Sequence, residues 1–295
     1  MTSFNFIIFC LIFIYKNFAL KNPNFEDLPR YVAVDYDTYS FNPIDNSKLY
    51  NYHINGKYRS TGRNYSAYVA NFPASKFSFY PSDNNGCQKL IETSNSSVTP
   101  PHDCEYATNG AFFAFSGNGS LCIGNLISDG KVWQLPTDGS GTNRANFGLT
   151  KDGKAFIGFL DAEIYATHNF TQLITGVGWI VRKGQSYVNK SQDLSGGFIT
   201  EKAPRTSVGI FKDGSMALVE IDGEEDIKSG PDLFEIAELL VQLGVDSAIN
   251  IDGGGSSVSV KNGAVISKPT CHDTPEICER AVASITCVRR KLLNS

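Results

Sequence analysis

Short apolar runs joined by tight glycine-containing turns recur from Gly110 to the end of the chain. LISDGKVWQL (126–135), FGLTKDGKAFIGF (147–159), WIVRKGQSYV (179–188), VGIFKDGSMALVEI (208–221) and VSVKNGAVI (258–266) share this pattern. Asp-Gly and Asn-Gly tolerate positive φ at both central turn positions, so these segments predict hairpins with two-residue turns. Five such hairpins predict a predominantly antiparallel β domain. One segment has a different period. In PDLFEIAELLVQL, residues 231–243, Leu233, Ile236, Ala237, Leu240 and Val241 recur at helical spacing. Pro231 suits a first turn, Asp232 and Glu235 suit its dipole, and Gly244 suits the C-cap. The helix lies between strands predicted at Met216–Ile221 and Ser247–Ile251, which predicts a βαβ crossover. The expected fold class is α+β: one β-dominated domain with many hairpins and a βαβ crossover carrying one long helix, about 231–243.

The N-terminus departs from this rhythm. FNFIIFCLIFIY, residues 4–15, is almost wholly apolar yet shorter than the ~20 residues of a spanning helix. In this position it reads as a signal peptide, residues 1–19, ending at Ala19. Residues 20–60 contain the turns NPNF and FNPID and read as a pro-segment or N-terminal extension. The main domain is expected at 61–290. No second apolar stretch approaches membrane length, so the product is expected to be soluble in the secretory-pathway lumen (Golgi or lysosome-related) or secreted.

Charge and cysteine content narrow the class. The chain carries 26 Lys+Arg against 30 Asp+Glu, a formal charge of −4 over 295 residues. With no basic cluster beyond Arg289-Arg290-Lys291, nucleic acid is not expected as a partner. Cys10 falls in the leader, leaving Cys87, Cys104, Cys122, Cys271, Cys278 and Cys287. Six cysteines in an exported chain read as three disulfides, with about 15 pairings open. There is no CxxC, and the four histidines are scattered, so no metal site and no cofactor are expected. N-x-S/T sequons at Asn64, Asn95, Asn118, Asn169 and Asn189 are candidate glycosylation sites.

Candidate chemistry gathers at the ends of the crossover strands, because ligands of parallel strand pairs sit beyond their C-terminal ends. The first strand ends in Glu220-Ile221-Asp222-Gly223, the second in Asn250-Ile251-Asp252-Gly253-Gly254-Gly255-Ser256-Ser257. Three consecutive glycines let backbone N–H groups converge on an anion without Cβ obstruction, and the serines add hydroxyls. The bland alternative is a glycine-rich turn with a cap, or a calcium loop. Asn109-Gly110-Ala111-Phe112-Phe113 and Pro204-Arg205-Thr206 also look over-specified for loops. Arg205 offers a planar fork suited to phosphate, or pairs with one of the many acids. Phe112 and Phe113 taken singly read as core residues, since neighbours in a strand face opposite ways.

The order NGAFF, PRTSVG, VEIDG, the helix FEIAELL and INIDGGGSS resembles the phosphodiester glycosidase domain family, over about residues 86–287. The resemblance implies hydrolysis of N-acetylglucosamine (GlcNAc) α-1-phosphodiesters, exposing mannose 6-phosphate on the phosphorylated high-mannose glycans of glycoproteins. It implies the disulfides Cys87–Cys122, Cys104–Cys287 and Cys271–Cys278 and a catalytic domain at 61–290; the EGF-like module and transmembrane helix that follow this domain in the family's animal enzymes are a point of departure and are not expected here. Departure of a phosphate needs little acid assistance, so the site calls for carboxylates near an oxocarbenium ion and donors on the phosphate. Asp252 and Asp222 are the carboxylate candidates, with Glu220 in reserve. Arg205, Thr206, the Gly253, Gly254 and Gly255 amides, Ser256 and Asn250 are candidates for phosphate and sugar hydroxyls, and Asn109 for orienting the sugar. A phosphodiesterase on the same fold, or a non-catalytic secreted carbohydrate-binding protein, is the alternative.

Overall fold

The computed structural model describes residues 33–291 apart from 43–44, 46, 118 and 136–143; the leader and Asn118 lie outside the described residues. Three sheets carry the fold. The seven-stranded sheet runs, edge to edge, 185–186, 179–182, 245–250, 205–211, 216–221, 64–72 and 50–57. A six-stranded sheet holds 35–40, 154–159, 146–150, 170–175, 126–128 and 131–134, and a five-stranded sheet 264–265, 259–261, 104–109, 284–289 and 77–81.

All five predicted hairpins form. Three turn on two left-handed residues: Asp129-Gly130, Lys183-Gly184 and Asn262-Gly263. The other two have longer loops because an aspartate closes them with its own side chain. Thr150 Oγ1 donates to Asp152 Oδ1 at 2.5 Å, and Ser215 Oγ donates to Asp213 Oδ1 at 2.6 Å.

The long helix spans Leu233–Gln242. Asp232 is its N-cap: Oδ1 accepts from Glu235 N at 2.9 Å, while Glu235 Oε2 accepts from Asp232 N at 3.1 Å, a reciprocal capping box. Pro231 therefore precedes the cap instead of occupying the first turn. Leu233, Ile236, Ala237 and Leu240 pack against Ile180, Val219, Ile221 and Ala248 on one face of the seven-stranded sheet. The opposite face contributes Val208, Ile210, Leu218 and Ile249 to a core with Phe77, Phe79, Tyr106, Phe147 and Ile285 from the other sheets. Burial on both faces explains the unbroken apolar run MALV at 216–219 in an antiparallel sheet.

The crossover forms, with one refinement. Strands Met216–Ile221 and Val245–Asn250 both run antiparallel to Arg205–Phe211, which lies between them, so they are parallel to each other but not neighbours. Two strand ends, Ile221-Asp222 and Asn250-Ile251-Asp252, therefore bracket the start of the middle strand at Pro204-Arg205. That junction positions the site.

The three disulfides join Cys87–Cys122, Cys104–Cys287 and Cys271–Cys278, the pairing the resemblance implied. Residues 20–60 were set apart by composition, yet part of this stretch is stitched into the sheets. Asp35–Ser40 pairs with Lys154–Phe159, Tyr50–Lys57 pairs with Asn64–Phe72, and Arg182 bridges Asp35 at 2.7 Å and Asp37 at 2.8 Å. Asn64, Asn95, Asn169 and Asn189 are all exposed. Among the described residues no helix is long and apolar enough to cross a membrane.

Candidate active site

The strand junction is locked by hydrogen bonds that leave few free groups. Ile251 N donates to Thr206 O at 3.0 Å, Gly254 N to Pro204 O at 2.8 Å and Asp252 N to Gly110 O at 3.2 Å. Asn109 is wholly buried: its Nδ2 donates to Asp252 O at 2.6 Å, and its Oδ1 accepts from Thr206 Oγ1 at 2.8 Å. Asn109 and Thr206, expected to touch substrate, instead fix the backbone that carries Asp252. Sequence shows that these residues matter at the junction; it does not show that burial turns them inward.

Asp252 itself remains chemically available. Its Oδ1 accepts from Gly253 N at 3.0 Å, and its residue exposure is 7%. Burial pushes its carboxyl up to about 7, against the opposing pull of Ser256, Arg280 and the Gly253 amide. Glu225, further along the loop after Asp222, is also pushed up to about 7, first by burial and then by Asp273 and Glu201, while Arg205 and Arg280 oppose the shift. Gly254 has φ +56°, and any Cβ there would strike Glu225 Oε1. A Cβ on Gly255 would strike the Arg280 guanidinium and Asp273 Oδ1. The glycines are thus required by the close approach of three charged side chains.

The expected nest is filled from within. Gly253 N donates to Asp252 Oδ1, Gly254 N to Pro204 O, and Gly255 N to Asp273 Oδ1 at 2.7 Å. Asp273 also pairs through Oδ2 with Arg280 Nη2 at 2.8 Å, and Arg280 Nε donates to Cys271 O at 2.9 Å. Asp273 lies inside the Cys271–Cys278 loop and Arg280 two residues after it, so the short disulfide delivers both.

Several sequence candidates are turned into the protein or lie on the other face of the sheet. Arg205 is 2% exposed, with Nη2 on Glu201 O at 2.9 Å and its guanidinium 4.7 Å from the Phe198 ring centroid. It supports the site from below Gly253. Asn250 is buried and donates to Val177 O at 3.2 Å. Asp222 accepts from Ser66 Oγ at 2.8 Å and Lys268 N at 2.8 Å. Strand alternation explains its separation from Arg205: Arg205 pairs with Ile221, and both share the helix-facing side, whereas Glu220 and Asp222 fall on the other. Glu220, 1% exposed, lies against Ser259 and Ser267; burial, then Asp222, holds its carboxyl well above the usual range.

Glu225, Asp273 and Arg280 were missed from sequence. The acidic triplet Glu224-Glu225-Asp226 directly after Asp222-Gly223, and the charges within and after the Cys271–Cys278 spacing, were the available signals. Among the described residues the one cluster with metal-ligand spacing is Cys271, His272 and Cys278, whose two sulfurs are joined in the disulfide.

A family model described as phosphodiester glycosidase matches residues 102–289, which includes the whole junction. The chain belongs to the phosphodiester glycosidase family. It is 34% identical over 222 residues to N-acetylglucosamine-1-phosphodiester alpha-N-acetylglucosaminidase of Mus musculus, covering 70% of this chain and 42% of that protein. The Homo sapiens enzyme of the same name gives 34% over 222 residues with the same shares. The chain thus spans about two fifths of the length of these curated relatives. Among solved structures, the zebrafish N-acetylglucosamine-1-phosphodiester alpha-N-acetylglucosaminidase catalytic domain, auto-inhibited by its pro-peptide, superposes with TM-score 0.72 at 30% identity. That match covers 88% of this chain and 89% of the zebrafish one.

Proposed function

We propose that this domain hydrolyses GlcNAc α-1-phosphodiesters, releasing GlcNAc and leaving a phosphomonoester, and that its substrates are phosphorylated high-mannose glycans whose mannose 6-phosphate is thereby exposed. The observation that carries the reading is the glycine turn itself, with Asp252 bonded to its Gly253 amide, Glu225 Oε1 against Gly254, and both carboxyls pushed up to about 7. The names of the relatives supply the substrate class. A carboxyl near 7 suits a general base at neutral pH. Asp252 takes a proton from water as the water oxygen bonds to C1 of the sugar. The C1–O bond breaks, and its electron pair leaves with the phosphate oxygen. Glu225 supplies negative charge near the oxocarbenium-like ring. Asn109 and Thr206 act through Asp252 by holding its backbone. Asp222, engaged by Ser66 and Lys268, takes no part.

The flanking segments complete the proposal. Residues 1–19 are a signal peptide, residues 20–60 form an N-terminal extension partly built into the sheets, and the catalytic domain follows to about residue 290. The protein works in the secretory-pathway lumen or outside the cell, glycosylated at the exposed sequons.

Turnover in ¹⁸O-water tests the reaction. With a GlcNAc-α-1-phosphodiester, early time points should show label on C1 of free GlcNAc and none in the phosphomonoester. Label in the phosphate would make the protein a phosphodiesterase; binding without turnover would make it a carbohydrate-binding protein.

A further inference from the structure

The positive charge meant for the departing phosphate was assigned from sequence to Arg205, and the structure puts that residue out of reach. Its side chain is 3% exposed, lies beneath Gly253 and is held by Glu201 and the Phe198 ring. Arg280 is the other arginine acting on both Asp252 and Glu225. Its side chain is 21% exposed. Nε is fixed by Cys271 O and Nη2 by Asp273, while Nη1 has no hydrogen-bond partner among the described residues. The guanidinium lies over the bare Cα of Gly255, where any Cβ would displace it. Its root is held on both sides, by the Cys271–Cys278 disulfide and by the pairing of Ala281–Val282 with Ile91–Glu92.

We propose that Arg280 binds the scissile phosphate of the substrate, donating from Nη1, with Asp273 and the Cys271 carbonyl as its positioning groups. The proposal rests on the phosphodiester reading of the preceding section. A guanidinium oriented on two edges meets an anion with its remaining edge at little entropic cost, and a charge-assisted bond of this kind is among the stronger ones. Asp273 has a double role: it accepts from the Gly255 amide and orients Arg280, which ties the glycine turn to the disulfide loop. The disulfide loop is then a substrate-binding element, with Asp252 on the sugar side of the bound diester and Arg280 on its phosphate side.

The test compares two probes by titration calorimetry on the intact chain at pH 7.5: GlcNAc-α-1-phosphate and GlcNAc. The wild type should bind the phosphorylated sugar more tightly. Arg280→Gln should weaken GlcNAc-α-1-phosphate by about thirtyfold and GlcNAc by less than about twofold. Arg280→Lys should fall between, keeping the charge but losing the fork. Gly255→Ala, which displaces the guanidinium without removing it, should show the same selective loss. Equal weakening of both probes would make Arg280 a structural residue, and a wild type that favours neither probe would remove the phosphate subsite. If Arg280→Gln keeps its phosphate affinity while the wild type still places ¹⁸O on C1, the glycosidase reading stands and this proposal falls.

Discussion

Two acidic clusters border the ends of the same central strands, and they are neutralised in opposite ways. Asp252, Glu225 and Asp273 share their cluster with Arg280 and Arg205. Glu220 and Asp222 instead meet hydroxyls and a backbone amide: Ser259 and Ser267 around Glu220, Ser66 and Lys268 N around Asp222. In the first cluster, burial pushes the Asp252 and Glu225 carboxyls up to about 7 while the arginines oppose the rise, so a change of one proton near pH 7 is readily accessible. In the second, burial with no arginine among its named partners pushes the Glu220 carboxyl well above the usual carboxylate range. Mutual proximity of acids is therefore a poor guide to chemistry. The cations decide which cluster can work.

The largest effect expected of this contrast is on the pH dependence of catalysis. The ionised form of Asp252 is the base, so kcat/KM should rise about tenfold per pH unit up to about 7 and level above it. A profile with no inflection near 7 would break the contrast, because Asp252 would then not be the titrating group. Next in size is Glu225→Gln, which should lower kcat/KM by about tenfold and leave that inflection in place. Loss of the inflection would transfer the base role to Glu225.

A smaller effect concerns stability. The folded-state pKa of Asp252 is raised from 3.8 to about 7, so the folded state holds its proton longer than the unfolded chain does. The resulting stabilisation is fully present below about pH 4 and is lost as pH rises through about 7. Asp252→Asn cannot ionise and escapes this loss, which is on the order of 4 kcal/mol at most. Its Tm relative to wild type should therefore climb between pH 4.5 and pH 8; a constant difference would contradict the burial argument. Smallest of all, Glu220→Gln should change kcat/KM by less than about twofold at pH 7, since the side chain is buried against Ser259 and Ser267, away from the arginine-bearing cluster. A larger loss would bring the second cluster into the mechanism.

The sequence pattern carried the hairpins and the long helix because turn chemistry and periodicity are local. Asp129-Gly130 and Asn262-Gly263 fold as their dipeptides require, and the capping box at Asp232 and Glu235 is a three-residue signal. The DGGG motif pointed to the right place for the same reason. What stayed hidden depends on which face a side chain takes and what covers it. Asn109 and Arg205 lie at the site yet turn into the protein, and Asp222 lies one position out of phase with Arg205 across the paired strands. Asp273 and Arg280 reach the glycine turn only through the disulfide loop, a contact across some 18 residues for Asp273 and Gly255. The edge strands at 35–40 and 50–57 were obscured because their partners are distant or their apolar content is low.

The most direct test of the account is a comparison of two isosteric substitutions, one in each cluster. Asp252→Asn and Asp222→Asn would be assayed side by side at pH 8 on one GlcNAc-α-1-phosphodiester, with thermal melts to confirm that both are folded. Asp252→Asn should lose about a thousandfold in kcat/KM, the scale of a positioned general base, and Asp222→Asn no more than about threefold. Comparable losses in the two variants, or the larger loss in Asp222→Asn, would contradict the assignment of the reaction to the arginine-bearing cluster.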